Sequence, residues 1–166
     1  MPSDLDILAY FLTFTTYGTW LHGDERGSVD EAHRAYGSPY AAASPDRAEA
    51  NRERMKWPPF TLDAKARGVV DRTIREVCEH RKWILKALNV RTNHVHVVIW
   101  APVSAAKVLS DLKAWCTRRL REAGCVEPKR EVWTEGGSKR KLFTKRGVNN
   151  ACEYTRTGQG ADLPME

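Results

Sequence analysis

The chain has 166 residues with 27 Lys+Arg, 21 Asp+Glu, five His and four Cys, which suits one domain with a sizeable core and excludes a multidomain machine. With 42% apolar residues and a mean hydropathy of −0.55, no run approaches the roughly 20 apolar residues of a membrane span, and the opening Met1-Pro2-Ser3-Asp4 lacks the basic start of a signal peptide, so a soluble, cytoplasmic protein without a membrane partner is expected. The formal charge of +6 is uneven, with 14 basic and 13 acidic residues before Val103 and 13 basic and 8 acidic from there on; the basic C-terminal part points to a polyanion such as nucleic acid, or to a solvated basic face.

In chain order, Ala9 to Tyr17 alternates and is rich in aromatic and β-branched residues, which predicts a strand. Residues 18–60 lose periodicity and carry Gly18, Gly23, Gly27, Gly37, Pro39, Pro58 and Pro59; they read as a long insertion with a function of its own. Inside it Ser44-Pro45-Asp46 has helix-start chemistry, which predicts a short polar helix toward Met55. Thr61 is expected to cap a helix whose apolar residues Ala66, Val70, Ile74, Val77 and Cys78 keep a 3.6-residue spacing despite Gly68. Trp83 to Leu88 and His94 to Trp100 read as two antiparallel strands of a hairpin. Ser104 opens a helix with Val108, Leu112, Trp115, Cys116 and Leu120 on one face and Lys113, Arg118 and Arg121 among its polar positions, up to Gly124.

Val132-Trp133 and Lys141-Leu142-Phe143 flank the turn-like Glu135-Gly136-Gly137-Ser138, and Thr144 caps a last helix bearing Val148, Ala151, Cys152 and Thr155. The tail, residues 161–166, is expected to fray. The order of elements describes a single α+β domain over residues 1–166, with an antiparallel sheet and helices mainly on one face. Cys78, Cys116, Cys125 and Cys152 form no C-x-x-C pair, which argues for reduced, packed thiols over a thiol zinc site or a disulfide framework.

The most informative local feature is His94-Val95-His96. Strand side chains alternate, so the two imidazoles point to one face, about 6.5 to 7 Å apart at Cα, while Val95, Val97 and Ile99 point to the core. By themselves they are either two ligands for one metal ion or two hydrogen-bonded histidines on an open sheet face. In the last helix, Tyr154 lies roughly 110° from the middle of the apolar stripe, at an edge that suits a side chain reaching over the sheet as well as a half-buried structural tyrosine.

Asn93-His94-Val95-His96-Val97-Val98-Ile99 resembles the His-hydrophobic-His motif of single-strand nucleases, in the form found in IS200-like tyrosine transposases, with Thr92 where family members often carry Pro. Val148-Asn149-Asn150-Ala151-Cys152-Glu153-Tyr154 through Gly160 is similar to the family's catalytic helix. Leu12 to Leu21 with Gly23 to Gly27, and Trp133 to Ser138, resemble the branch related to REP-associated tyrosine transposases, so the likeness runs from about residue 9 to Gly160.

The resemblance implies a ferredoxin-like sheet with a C-terminal catalytic helix and a metal-dependent enzyme that cleaves and rejoins single-stranded DNA. Tyr154 is then the nucleophile, with a 5′-phosphotyrosine link and a free 3′-hydroxyl as products. His94 and His96 are the implied ligands of Mg²⁺ or Mn²⁺. Gln159 is the candidate third ligand, although it stands five residues after Tyr154 where one helical turn would reach Gly158. A tyrosine has a pKa near 10 in isolation, so a cation and basic neighbours are needed to favour its phenolate.

The implied partner is single-stranded or hairpin DNA, contacted by Tyr17, Trp20, Arg118, Arg121, Lys139, Arg140, Lys141, Lys145 and Arg146, with bases stacked on aromatic rings and cations on phosphates. The family includes dimers whose helix serves the partner's site, and the REP-associated branch includes monomers. Nucleoid association is expected in the DNA-bound state. The competing reading is a domesticated protein that binds such DNA without cutting it, and it turns on whether His94, His96 and Tyr154 meet in space.

Overall fold

The computed structural model describes residues 4–19 and 56–166. A single 3-10 turn, Asp4–Asp6, leads into strand β1 (Ala9–Thr15), followed by helix α1 (Ala64–Arg81), β2 (Ile84–Val90), β3 (His94–Trp100), α2 (Ala105–Glu122), β4 (Ser138–Leu142) and α3 (Lys145–Thr157). Trp20 and the expected helix after Ser44 lie outside the described residues. Both ends of the insertion are joined in space: Phe60 N donates to Tyr17 O at 2.8 Å and Thr19 Oγ1 donates to Phe60 O at 3.0 Å.

The strands form one antiparallel sheet in the order β2-β3-β1-β4. Because side chains alternate, each strand feeds two layers. Tyr10, Leu12, Phe14, Val95, Val97 and Ile99 pack with α1 and α2 in the main core, and Ala9, Phe11, Ala87, Val98 and Leu142 pack with Val148, Ala151 and Cys152 of α3. Two long helices therefore cover one face and α3 covers the other. Coverage from both sides explains why β1 is buried along its whole length. Fully buried side chains such as Leu12 and Phe14 each contribute roughly 1.5–3 kcal/mol of burial free energy.

Helix starts follow their capping chemistry. Ser104 accepts from Lys107 N and Thr144 from Gly147 N, as the sequence predicts. For α1 the cap is Asp63, accepting from Ala66 N, in place of Thr61. The shift arises because Leu62 is buried, with its N–H given to Thr92 O and its carbonyl accepting from Arg67, so the chain stays extended two residues longer.

Three further expectations change. Ser138, read as part of the turn, opens the strand Ser138–Leu142 on β1, while Trp133 makes an isolated bridge to Thr16. The β2–β3 ladder carries an irregularity between Leu85 and Ala87, which offsets the simple alternation of that segment. The 161–166 tail, expected to fray, lies along α1 with Pro164 O accepting from Arg67 and Glu166 N donating to Ala64 O.

Cys78, Cys116 and Cys152 are buried free thiols and Cys125 is half-buried; burial pushes the Cys78 thiol up to about 11, which makes it unreactive. Among the described residues no helix is long and apolar enough to cross a membrane.

Candidate active site

On the α3 face of the sheet, the β1–β3 register sets Thr13 opposite His96 and Thr15 opposite His94, and residues directly opposite in antiparallel strands share a face. His94 and His96 stand with ring centroids 4.9 Å apart. Each has a partner at Nδ1: Asn93 Oδ1 lies 2.7 Å from His94 Nδ1, and Thr13 Oγ1 lies 2.9 Å from His96 Nδ1. Were both Nδ1 protons given to these oxygens, both Nε2 lone pairs would be open to a cation, the arrangement that outer partners impose on metal-binding imidazoles; in its contact with the Gln159 amide oxygen, His94 Nε2 is instead the donor.

His96 is 3% exposed. Burial above all, then repulsion from His94 and Arg91, pulls its pKa down to about 3, against a hydrogen bond with Gln159 that favours the proton. His96 is therefore a neutral imidazole across the physiological range.

Tyr154 arrives from α3. Its ring lies 5.7 Å from that of His96 and 6.1 Å from that of Phe11, and it is 40% exposed, so the phenol has apolar support beneath and solvent access above. The expected edge position follows from the buried stripe of Val148, Ala151, Cys152 and Thr155. Asn89, in register with His96, donates to Thr155 O at 2.9 Å and ties the helix to the sheet.

Gln159 also arrives. α3 stops at Thr157 with Gly158 as its cap, and the residue that meets the histidines is the one just past that cap, five positions after Tyr154. Gln159 Oε1 lies 3.2 Å from His94 Nε2, while its Nε2 is buried and has no hydrogen-bond partner among the described residues.

Two imidazoles, that of His96 neutral, and an amide oxygen fit a divalent cation through a mixed nitrogen–oxygen set. The candidate set of His94, His96 and Gln159 contains no carboxylate, and among the described residues no group of three or more His, Cys, Asp and Glu gathers.

The expected DNA contacts separate into two layers. Lys139, Arg140 and Lys141 are successive residues of β4 and pair with Leu12, Phe11 and Tyr10; alternation sends Arg140 to the site face and Lys139 and Lys141 to the α1/α2 face. Lys145 and Arg146 stand exposed in the first turn of α3. Arg118 and Arg121 belong to α2, behind the sheet. Arg118 pairs with Glu122 at 3.3 Å and lies over Trp115, and Arg121 donates to Arg130 O. Tyr17 is half-buried against the core, its hydroxyl accepting from Lys56 N at 3.1 Å.

Sequence reasoning passed over Thr13, Asn93 and Arg91. Thr13 was legible as a polar residue between Phe11 and Thr15 on the histidine face once strand pairing was known. Asn93 immediately precedes the first histidine, and Arg91 holds the turn by donating its N–H to His94 O at 2.8 Å.

A family model described as "Transposase IS200 like" matches residues 56–146, a stretch that contains His94 and His96 and ends before Tyr154. Among solved structures the chain is similar to a REP-associated tyrosine transposase bound to a REP hairpin, at 10% identity and a TM-score of 0.49, over 90% of this chain and 65% of that one; the chain thus spans just under two thirds of the length of that protein. No curated protein matches.

Proposed function

The chain belongs to the IS200-like transposase family, and from that premise we propose that it is a metal-dependent tyrosine endonuclease and strand transferase acting on single-stranded or hairpin DNA. The observation that carries this reading is the meeting of His94, His96, Gln159 and Tyr154 on one sheet face within a single chain. A non-cleaving, domesticated binder of the same fold has no need of that convergence. The arrangement also supports action in cis, because the tyrosine lies against the histidines of its own chain.

Tyr154 Oη gives up its proton to solvent and forms the new bond to phosphorus as the 3′-oxygen departs with its electron pair and takes a proton from solvent, leaving a 5′-phosphotyrosine and a 3′-hydroxyl. One phosphodiester is exchanged for another, so a 3′-hydroxyl can reverse the step and rejoin a strand. His94, His96 and Gln159 Oε1 are the groups that would hold Mg²⁺ or Mn²⁺, which would supply Lewis-acid polarisation of the scissile phosphate.

His96 stays neutral and keeps its lone pair. Phe11 and His96 hold the tyrosine ring from below, and Arg140, Lys145 and Arg146 supply cations for the strand that approaches this face.

The test is a denaturing-gel assay of wild type and Tyr154→Phe with a pool of labelled single-stranded hairpin DNAs, with Mn²⁺ or with chelator. A covalent protein–DNA band that needs both Tyr154 and the metal is expected. Adduct in Tyr154→Phe would reassign the nucleophile, and native-gel binding of the pool without any adduct would favour the domesticated binder.

A further inference from the structure

Gln159 lies past the end of α3, so the helical hydrogen-bond ladder does not hold it. The segment that follows it is held at several points. Arg91 Nη1 donates to Ala161 O at 2.9 Å. Arg67 donates to Pro164 O from Nε at 3.2 Å and Nη2 at 2.8 Å, and to Leu62 O from Nη1 at 2.8 Å. Glu166 N donates to Ala64 O at 3.1 Å, and Arg72 Nη1 donates to Glu166 O at 3.0 Å.

Two residues of α1 beneath this segment are costly choices for an ordinary helix. Arg67 is 7% exposed, and arginine is almost never so buried unless its charge is satisfied; here its hydrogens go to carbonyls at the start of α1 and in the tail. Gly68 interrupts a helix whose intrinsic preference is for alanine. A Cβ there would fall 2.0 Å from Glu166 O and 3.1 Å from its carbonyl carbon, so the seat for the tail exists because residue 68 has no side chain. Arg91, meanwhile, bonds His94 O through its N–H and the tail through its guanidinium, joining the turn before the histidines to the residues after Gln159.

We propose that residues 160–166 form a strap, seated on α1 at Gly68 and Arg67 and on the β2–β3 turn at Arg91, that positions Gln159 against His94. Gly68, Arg67 and Arg91 are positioning residues acting through Gln159. This rests on reading Gln159 as the third metal ligand and deepens it. Released, the chain beyond α3 samples many conformations, and apparent metal affinity falls by the fraction of time Gln159 spends away from His94.

The experiment uses Gly68→Ala, which fills the seat with a better helix former and leaves the site residues intact. Three readouts are taken on the full chain: hydrogen exchange at Glu166 N–H, the nuclear Overhauser contact between the Gln159 side chain and the His94 ring in metal-free protein, and Mn²⁺ affinity by electron paramagnetic resonance. The expected result is a folded variant with faster exchange in the tail, loss of the Gln159–His94 contact and about tenfold weaker Mn²⁺ binding. Combined with Gln159→Ala, it should bind no more weakly than Gln159→Ala alone.

A released tail with the Gln159–His94 contact and Mn²⁺ affinity retained overturns the proposal, as does a tail that stays protected in Gly68→Ala. Should wild type bind no Mn²⁺ while Gly68→Ala still loses the Gln159–His94 contact, the metal reading fails and the strap stands. Arg91→Gln, which frees Ala161 without altering α1, gives the same readouts if Gly68→Ala does not fold.

Discussion

Gly158 offers a direct way to move the tyrosine without changing any reacting group. Its dihedrals, φ −77° and ψ 0°, are open to any residue, so its missing side chain answers to contact and not to backbone conformation. A Cβ there would lie 2.7 Å from Tyr154 O, 2.8 Å from Tyr154 Cδ2 and 3.2 Å from Cε2. Carbon atoms pack best about 3.5–4.0 Å apart, so in Gly158→Ala the ring must retreat about 0.7 Å or more, or the helix cap must open. Either movement shifts a phenol now packed 5.7 Å from His96 between ring centroids. Misplacement of a reacting group by about 1 Å costs on the order of 10²-fold in rate. The expected outcome is a folded protein, checked by circular dichroism, with unchanged hairpin binding and single-turnover adduct formation slowed roughly 10- to 100-fold. A Gly158→Ala protein that forms adduct at the wild-type rate would refute the view that this glycine seats the proposed nucleophile.

Thr13→Val leaves His96 Nδ1 without its oxygen; Mn²⁺ affinity should drop about 10- to 100-fold and stability by roughly 1–3 kcal/mol, read by metal titration and thermal melts. Because burial lowers His96 from its ordinary 6.5 to about 3, the unfolded chain binds a proton in that window that the folded chain refuses. Stability in chelator should therefore fall as pH drops from 6.5 toward 3, by up to about 1.4 kcal/mol per pH unit from this group, and His96→Gln should flatten the slope; identical acid melts would contradict the assignment. Arg140→Gln should weaken hairpin binding and reduce its salt slope by about 1, while Arg118→Gln, on the far layer, should leave the slope unchanged; equal slopes in the two variants would place the DNA elsewhere.

How much of this was legible in sequence depended on the range of the interaction involved. The period-two pattern of β3 put His94 and His96 on one face and the valines on the other, since pleating is a property of the strand itself. Ser104 and Thr144 announced their helices because a cap bonds within its own turn, whereas the cap at Thr61 was misread because a distant partner, Thr92 O, keeps Leu62 extended. The run Lys139-Arg140-Lys141 looked like one basic patch, yet a strand divides such a run between two layers, and only its pairing with β1 says which member meets the histidines. Gly68 read as a blemish in a helix, and its contact is nearly a hundred positions away in Glu166.

By itself the sequence determined a basic α+β chain with a histidine pair on one strand face and a tyrosine at the edge of the last helix, because composition, strand alternation and helical period are local properties. Tertiary structure alone decided that Thr13 supports His96, that Gln159 reaches His94, that Arg140 and not its neighbours shares their face, and that the tail lies on α1 instead of fraying. Each of those outcomes depends on strand register, on where a helix stops or on a long-range backbone contact, and such contacts form only when segments distant in sequence are packed together.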